Sequence, residues 1–233
     1  MRALLLAAGL GTRLRPLTNT LPKCLVPING KPLLEIWLER LTNDGFGPFI
    51  LNTHYMAEKV ESFIMEGKFR DCVTIVSEAT LEGTAGTLIS NLDFFLDQDA
   101  ILIHADNYCL ADMRLFKTAH FLRPAGCLMT MMTFRTESPS SCGIVEVDDT
   151  GVLVGFHEKV SFPPGNLANG AVYIISKEFI EWIRINPELY IDFSKDVIPR
   201  LVGRIFCHET DEIFIDIGTP ESYILANELS SIL

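Results

Sequence analysis

The stretch from Ala3 to Pro32 constrains this chain more than any other. The apolar run Ala3–Ala8 reads as a buried strand. It is followed by Gly9-Leu10-Gly11-Thr12-Arg13-Leu14-Arg15-Pro16-Leu17-Thr18 and then by Pro22-Lys23-Cys24-Leu25. Two glycines directly after a strand let backbone N–H groups crowd against an anion. Arg13, Arg15 and Lys23 bring positive charge to the same stretch of a chain whose formal net charge is -11. An ordinary tight turn needs only the Gly-x-Gly. The continuation Thr-Arg-Leu-x-Pro and the later Pro-Lys-x-Leu go beyond a turn and point to a loop that holds phosphate.

The charge balance excludes one large class of partner. Nineteen Lys and Arg against 30 Asp and Glu cannot assemble a diffuse basic face, so no nucleic-acid partner is expected. Small molecules are. The six cysteines show no C-x-x-C and no Cys/His spacing suited to zinc, which predicts reduced thiols in a cytoplasmic protein. Met1-Arg2 and the apolar run behind them are too short for a secretory leader, and Arg13 and Arg15 interrupt where a cleavage site belongs. No apolar stretch reaches the ~18 residues of a membrane span, so no membrane partner is expected either.

Along the chain, helix and strand alternate. Leu34, Trp37, Leu38 and Leu41 fall on one helical face that closes at Gly45, with Pro32 placed in the first turn. Phe49–Leu51 reads as a strand, Ala57–Glu66 as a helix, Val73–Val76 as a strand, and 84–96 as helical. Ala100–Ala105 is a continuous apolar run of the kind buried on both faces of a parallel sheet, and it ends at Asp106. A helix near 111–122 and a strand near 126–134 come next. From about 138 the rhythm changes: Ile144–Val147 and Val152–Phe156 flank an Asp/Gly turn, which predicts an antiparallel hairpin. Strand Ala171–Ile175, helix Lys177–Arg184, strand Phe214–Ile217 and a helix at about 220–231 complete the reading. The expected fold is a Rossmann-like three-layer α/β/α sandwich, its mixed sheet mostly parallel, with a small antiparallel hairpin region. Apolar residues near 113–132 and 179–185 fit either a core or a homo-oligomer interface.

In such sheets ligands sit beyond the carboxyl ends of the strands. Five places there carry polar chemistry. The first is the Gly9–Arg13 loop with Lys23. The second is Glu82–Thr87, small residues at a helix start where a base or ribose could lie against backbone; a plain capped N-terminus is the bland alternative. The third is Asp106, an oxygen donor of the type Mg²⁺ takes, with Asp216 as its counterpart at the end of a later strand; each could instead cap a helix. The fourth is His157-Glu158-Lys159 and the fifth Asn169-Gly170, polar groups of the kind a sugar requires, although a Glu-Lys pair is more often a solvated dipeptide. His54, His104, His120 and His208 show no spacing suited to a metal or a triad.

Taken together these residues resemble the sugar-1-phosphate nucleotidyltransferases, and most closely the mannose-1-phosphate guanylyltransferases. The resemblance covers nearly the whole chain. Leu6–Thr18 with Pro22-Lys23 is similar to that family's nucleotide loop, and Gly83-Thr84-Ala85-Gly86 to its base-binding segment. It implies that Leu6, Ala8, Gly9, Gly11, Thr12, Gly83, Thr84 and Ala85 bind the nucleotide, and that Asp106 and Asp216 hold Mg²⁺. It further implies that Gly143, Glu158, Lys159, Asn169 and Gly170 bind the sugar phosphate, with Arg13, Lys23, Asp106, Lys159 and Asp216 as the catalytic set. Here Asn169 and Gly170 are adjacent, where the family has Asn-x-Gly. On this reading residues 1–233 form one nucleotidyltransferase domain, with 1–135 the nucleotide half and 136–233 the sugar half, and without a C-terminal β-helix.

The implied reaction joins a nucleoside triphosphate to a sugar 1-phosphate, releasing pyrophosphate, with guanylyl transfer to a manno-configured sugar phosphate the leading version. The attacking phosphate, with a second pKa of about 6, needs no general base at neutral pH, which accords with the lack of any Ser/His/Asp or Cys/His arrangement. Uridylyl or thymidylyl transfer, or a catalytically silent nucleotide-sugar sensor, are the alternatives. A dinucleotide fold is disfavoured because Leu14 stands where its third small residue belongs and Asn52-Thr53 where its acid should end the second strand. The Walker A pattern is absent.

Overall fold

The computed structural model describes residues 1–185 and 190–231, which divide into two compact units. The first unit gathers Met1–Leu81, Ile103–Leu110 and Ile213–Leu233; the second holds Glu82–Leu102 and Ala111–Glu212.

The first unit grows from strand Arg2–Leu6, whose residues Ala3, Leu4 and Leu5 are fully buried. It pairs in parallel with Phe49–Thr53 in the register Ala3↔Phe49 to Leu6↔Asn52, and Phe49–Thr53 pairs in parallel with Val73–Ser77. Each connection runs through a helix, as parallel pairing requires. Helix Leu33–Asn43 buries Leu33, Leu34, Trp37, Leu38 and Leu41, and stops where Gly45 at φ +75 lets its N–H reach the Thr42 carbonyl. Pro32 is the residue before this helix rather than in its first turn; it belongs to a two-residue ribbon with Pro27–Ile28. Helix Ala57–Glu66 forms the second crossover. The chain re-enters this unit within strand Ala100–His104, after which Ala105 donates its N–H to the Leu6 carbonyl. Asn107–Cys109 then pairs antiparallel with Phe214–Asp216, and helix Pro220–Ser230 follows, its start fixed by a reciprocal Thr219/Ser222 box.

The second unit is mainly antiparallel. Strand Met129–Arg135 lies antiparallel to Leu167–Ile175 and parallel to Ile205–Glu209, and Gly143–Val147 forms a hairpin with Leu153–Glu158. The Ile205–Glu209 strand and the short Asn107–Cys109 strand are absent from the sequence reading. A further correction concerns Asn169-Gly170, which the sequence places at the start of a strand. They are its third and fourth residues, at an irregularity where Ala171 takes φ +53. Helix Lys177–Ile185 seats Phe179 against Phe193, whose ring in turn lies 4.7 Å from that of Tyr173. All six cysteines are free thiols. Among the described residues no helix is long and apolar enough to cross a membrane.

His120, on helix Met113–Phe121, is fully buried, with Nδ1 2.9 Å from Thr130 Oγ1 and Nε2 3.4 Å from Asp99 Oδ2. Burial pulls its pKa below the ordinary histidine value, against the smaller upward pull of Asp99. The unfolded chain therefore binds this proton more readily than the folded one, and stability falls as pH drops below about 6.5. We expect His120→Gln to flatten that part of the curve of melting temperature against pH. One such proton carries at most about 1.4 kcal/mol per pH unit. An unchanged slope between pH 7 and 5.5 would show that other groups govern it.

Candidate active site

The loop that leaves strand Arg2–Leu6 is held open by its own backbone. Gly11 takes φ +61 as it leads into the short turn Thr12–Leu14, and a Cβ there would lie 2.9 Å from Thr18 Cγ2, so no other residue fits without displacing Thr18. The Thr18 hydroxyl donates to the Gly11 carbonyl at 2.7 Å. The N–H groups of Gly9, Leu10 and Gly11 find no acceptor among the described residues. A run of outward N–H groups in a glycine turn is a nest for an anion.

Beside this loop four charged side chains converge. Lys23, on the turn Lys23–Leu25, is only 6% exposed, and its Nζ lies 2.6 Å from Asp106 Oδ2 and 3.3 Å from Asp216 Oδ1. Arg13, 64% exposed along its side chain, brings Nη2 to 3.9 Å from Asp216 Oδ2. Neither aspartate caps a helix. Asp106 precedes strand Asn107–Cys109, while Asp216 ends Phe214–Asp216 and pairs in register with Asn107; the cap of the last helix is Thr219. Two bonds brace the ribbon that carries them: Ile217 N–H donates to the Asp106 carbonyl, and Trp37 Nε1 donates to the Asn107 carbonyl at 2.7 Å. Burial alone would pull the Lys23 ammonium down, but Asp106 and then Asp216 outweigh it and leave the pKa above the ordinary lysine value. Burial likewise pushes Asp106 up, and the Lys23 charge overrides it and holds the carboxyl below the usual range. The pair is thus ionised across the neutral range, lost only in acid that protonates Asp106 or base that strips Lys23.

The carboxylates suit a hard divalent cation. Among the described residues no group of three or more His, Cys, Asp and Glu side chains gathers for a metal. Asp106 and Asp216 would supply two oxygens and leave the other positions to water or phosphate, the manner in which Mg²⁺ is usually held.

The other sequence-nominated residues lie in the second unit. Glu158 ends its strand opposite Gly143, where a Cβ would press to 2.6 Å from Glu158 Oε2. Lys159 Nζ is 3.4 Å from Glu158 Oε1, its ammonium largely in solvent. The Asn169 amide turns inward, donating from Nδ2 to the Tyr173 hydroxyl at 2.8 Å and accepting the Ala171 N–H at 2.9 Å. At the start of helix Gly83–Ser90, Gly83 takes φ +79 and a Cβ would lie 2.4 Å from the Ile191 carbonyl oxygen. That oxygen accepts the N–H groups of Ala85 and Gly86, and Thr84 Oγ1 accepts the Phe193 N–H. Leu6 and Ala8 are buried and Gly9 faces solvent. Asn52, Tyr55 and Glu78 touch the glycine loop or one another; the sequence reading passes over Tyr55 and Glu78 and notes Asn52 only as a residue that is not an acid. The signal available was position, since all three follow or end a parallel strand.

A family model described as nucleotidyl transferase matches residues 2–231. The chain belongs to the nucleotidyl transferase family. A UTP–glucose-1-phosphate uridylyltransferase of Synechocystis is 31% identical to it, over 100% of this chain and 65% of that protein. A mannose-1-phosphate guanylyltransferase catalytic subunit beta of Xenopus tropicalis is 29% identical, over 96% and 63%. The crystal structure of HddC from Yersinia pseudotuberculosis complexed with GMP-PN superposes with a TM-score of 0.82 at 27% identity, covering 98% of this chain and 99% of that one. This nucleotidyl transferase chain therefore spans just under two thirds of the length of those curated relatives. Its fold is of the Rossmann-like α/β class with a mixed sheet, as the alternation of elements implied.

The Lys23 ammonium, 2.6 Å from Asp106 Oδ2 and 3.3 Å from Asp216 Oδ1, stands where a cation shared by the two carboxylates would bind. Lys23→Met should tighten Mn²⁺ binding by roughly tenfold, the order expected on removing one like charge from a half-exposed site. Mn²⁺ titration followed by electron paramagnetic resonance measures this directly. Equal or weaker binding would show that Lys23 and the metal do not compete.

Proposed function

We propose that this chain catalyses nucleotidyl transfer from a nucleoside triphosphate to a sugar 1-phosphate. The observation that carries the reading is the convergence of Arg13, Lys23, Asp106 and Asp216 beside a glycine loop whose N–H groups find no acceptor among the described residues. A sugar-phosphate oxygen attacks the α-phosphorus. A new P–O bond forms, the bond to the β-phosphate oxygen breaks, and the electron pair leaves with pyrophosphate. The nucleophile is already dianionic for the most part near neutral pH, so positioning and charge neutralisation are the whole task.

Each group has a part within that scheme. The N–H groups of Gly9, Leu10 and Gly11, with Thr12 beside them, cradle phosphate oxygens. The exposed Arg13 closes on the triphosphate, and the Lys23 ammonium neutralises charge that grows on the leaving pyrophosphate. Mg²⁺ held by Asp106 and Asp216 would add Lewis-acid neutralisation of the phosphates. In the second unit the solvent-facing Lys159 takes the sugar phosphate and Glu158 accepts from sugar hydroxyls, with Gly143 leaving room for its carboxylate. Gly83, Thr84 and Ala85 are assigned to the nucleoside. The inward turn of the Asn169 amide leaves that residue and Gly170 to shape the sugar pocket through the backbone.

For the donor we favour GTP, and for the acceptor a manno-configured hexose or heptose 1-phosphate. The guanylyltransferase relative and the HddC complex with GMP-PN support this. The uridylyltransferase relative at 31% identity supports the second reading, transfer of UMP. Pyrophosphate release across GTP, UTP, dTTP, CTP and ATP against a panel of sugar 1-phosphates separates them. Release confined to a UTP pair would overturn the guanylyl assignment. A folded protein that binds triphosphate yet releases none would be a sensor rather than a transferase.

Lys23→Ala is expected to lower kcat by about 10²-fold while the triphosphate dissociation constant changes much less, because the ammonium acts mainly on charge that develops during transfer. Equal losses in turnover and binding would contradict that assignment.

A further inference from the structure

We propose that Asn52 and Tyr55 are positioning residues for the nucleotide loop, each fixing one of its two arms from below. The proposal rests on the nucleotide reading given above. Asn52 is the penultimate residue of strand Phe49–Thr53, and Tyr55 lies in the short connection from that strand to helix Ala57–Glu66.

The first arm is Ala7, where the chain leaves its strand. Its N–H donates to Asn52 Oδ1 at 2.7 Å, and Asn52 Nδ2 donates to Glu78 Oε1 at 2.8 Å. Asn52 and Glu78 are both buried, at 4% and 6% exposure. An amide oxygen can accept from an N–H and an amide nitrogen can donate to a carboxylate, so only one orientation of the Asn52 side chain satisfies both bonds. The buried carboxylate thus locks the amide, and the amide locks the first residue of the loop.

The second arm is Thr18. The Tyr55 hydroxyl donates to the Thr18 carbonyl at 3.0 Å, and the Thr18 hydroxyl donates to the Gly11 carbonyl. Thr18 is fully buried, with its methyl directly under Gly11. One turn further along the helix, Lys59 Nζ donates to the Thr20 carbonyl. Three side chains of one segment therefore hold backbone atoms on both sides of Gly9–Gly11. The loop between these anchors keeps its Gly9, Leu10 and Gly11 N–H groups, unpaired among the described residues, in place before ligand arrives. Without the anchors the ligand itself would have to order that stretch, and affinity would fall accordingly.

The effect should be specific to the triphosphate. Tyr55→Phe removes one hydroxyl and keeps the ring, so the fold survives; Asn52→Leu removes both amide bonds and is the harsher change. Calorimetric binding of GTP and of UTP, in the presence of Mg²⁺, and steady-state kinetics with the sugar 1-phosphate that the wild type accepts form the test. For Tyr55→Phe we expect the triphosphate dissociation constant and KM to rise roughly fivefold, the scale of one neutral hydrogen bond, while the KM for the sugar phosphate stays within about twofold. In Thr18→Val, Tyr55→Phe should then add little, because the relay to Gly11 is already cut. Unchanged triphosphate binding in Tyr55→Phe would overturn the proposal. So would equal losses for both substrates that track a drop in melting temperature. Wild-type protein that binds no triphosphate would overturn the nucleotide reading and this inference together. Normal wild-type turnover with an indifferent Tyr55→Phe would overturn the inference alone.

Discussion

One buried ammonium organises the first unit. Lys23 Nζ sits between Asp106 and Asp216, carboxylates that lie 83 and 193 positions away in the chain. A lysine this deeply buried keeps its charge only with opposite charge in contact, and the two partly exposed aspartates are stabilised by the cation between them. The constraint ties the turn after the glycine loop to the ribbon formed by Asn107–Cys109 and Phe214–Asp216. It also explains why the ribbon is braced from beneath by Trp37 and closed by the Ile217 N–H. The same charges that make the arrangement stable make it responsive. A divalent cation or a phosphate entering here would exchange one ion pair for another rather than break into a neutral core.

The two units differ in architecture. The parallel strands of the first unit present their carboxyl ends as a row of short connections, where a loop can be pinned from its neighbours. Asn52 and Glu78 stand at two of those ends and the glycine loop at a third. The antiparallel second unit instead offers a hairpin end, where Glu158 and Lys159 emerge together, and an irregular strand at Asn169–Tyr173. Such irregularities re-aim side chains, and here Asn169 is turned inward to satisfy the Ala171 N–H and the Tyr173 hydroxyl.

Much of this was legible in the sequence, for identifiable reasons. Ala3–Leu6 and Ala100–Ile103 are continuous apolar runs, and a strand covered on both faces leaves that trace. The helix Leu33–Asn43 showed its period because one face alone is buried. The strand Ile205–Glu209 left little trace, since its five residues end in His208-Glu209 and it is recruited by parallel pairing with Met129–Arg135 some seventy positions earlier. Asn107–Cys109 is three residues long and has a partner only because Phe214–Asp216 comes back to it. In the candidate site, strand ends pointed to Asp106 and Asp216 individually. That both would meet on Lys23 is a property of tertiary closure, which local pattern does not encode. Asn52 was noticed only for what it is not, an acid at the end of a second strand; its hydrogen bonds to Ala7 and Glu78 give the reason an amide stands there.

The span between Lys23 and Asp216 has a consequence for how the protein is made. At ribosomal rates of about 5–20 residues per second, roughly 10–40 s pass between the synthesis of one and of the other. For most of that interval the glycine loop and its lysine are already outside the ribosome while the second carboxylate does not yet exist. The nascent chain can build its parallel strands, yet it cannot assemble the four-charge cluster. A chain stalled or cut short anywhere before the Phe214–Asp216 strand would leave Lys23 one counter-charge short.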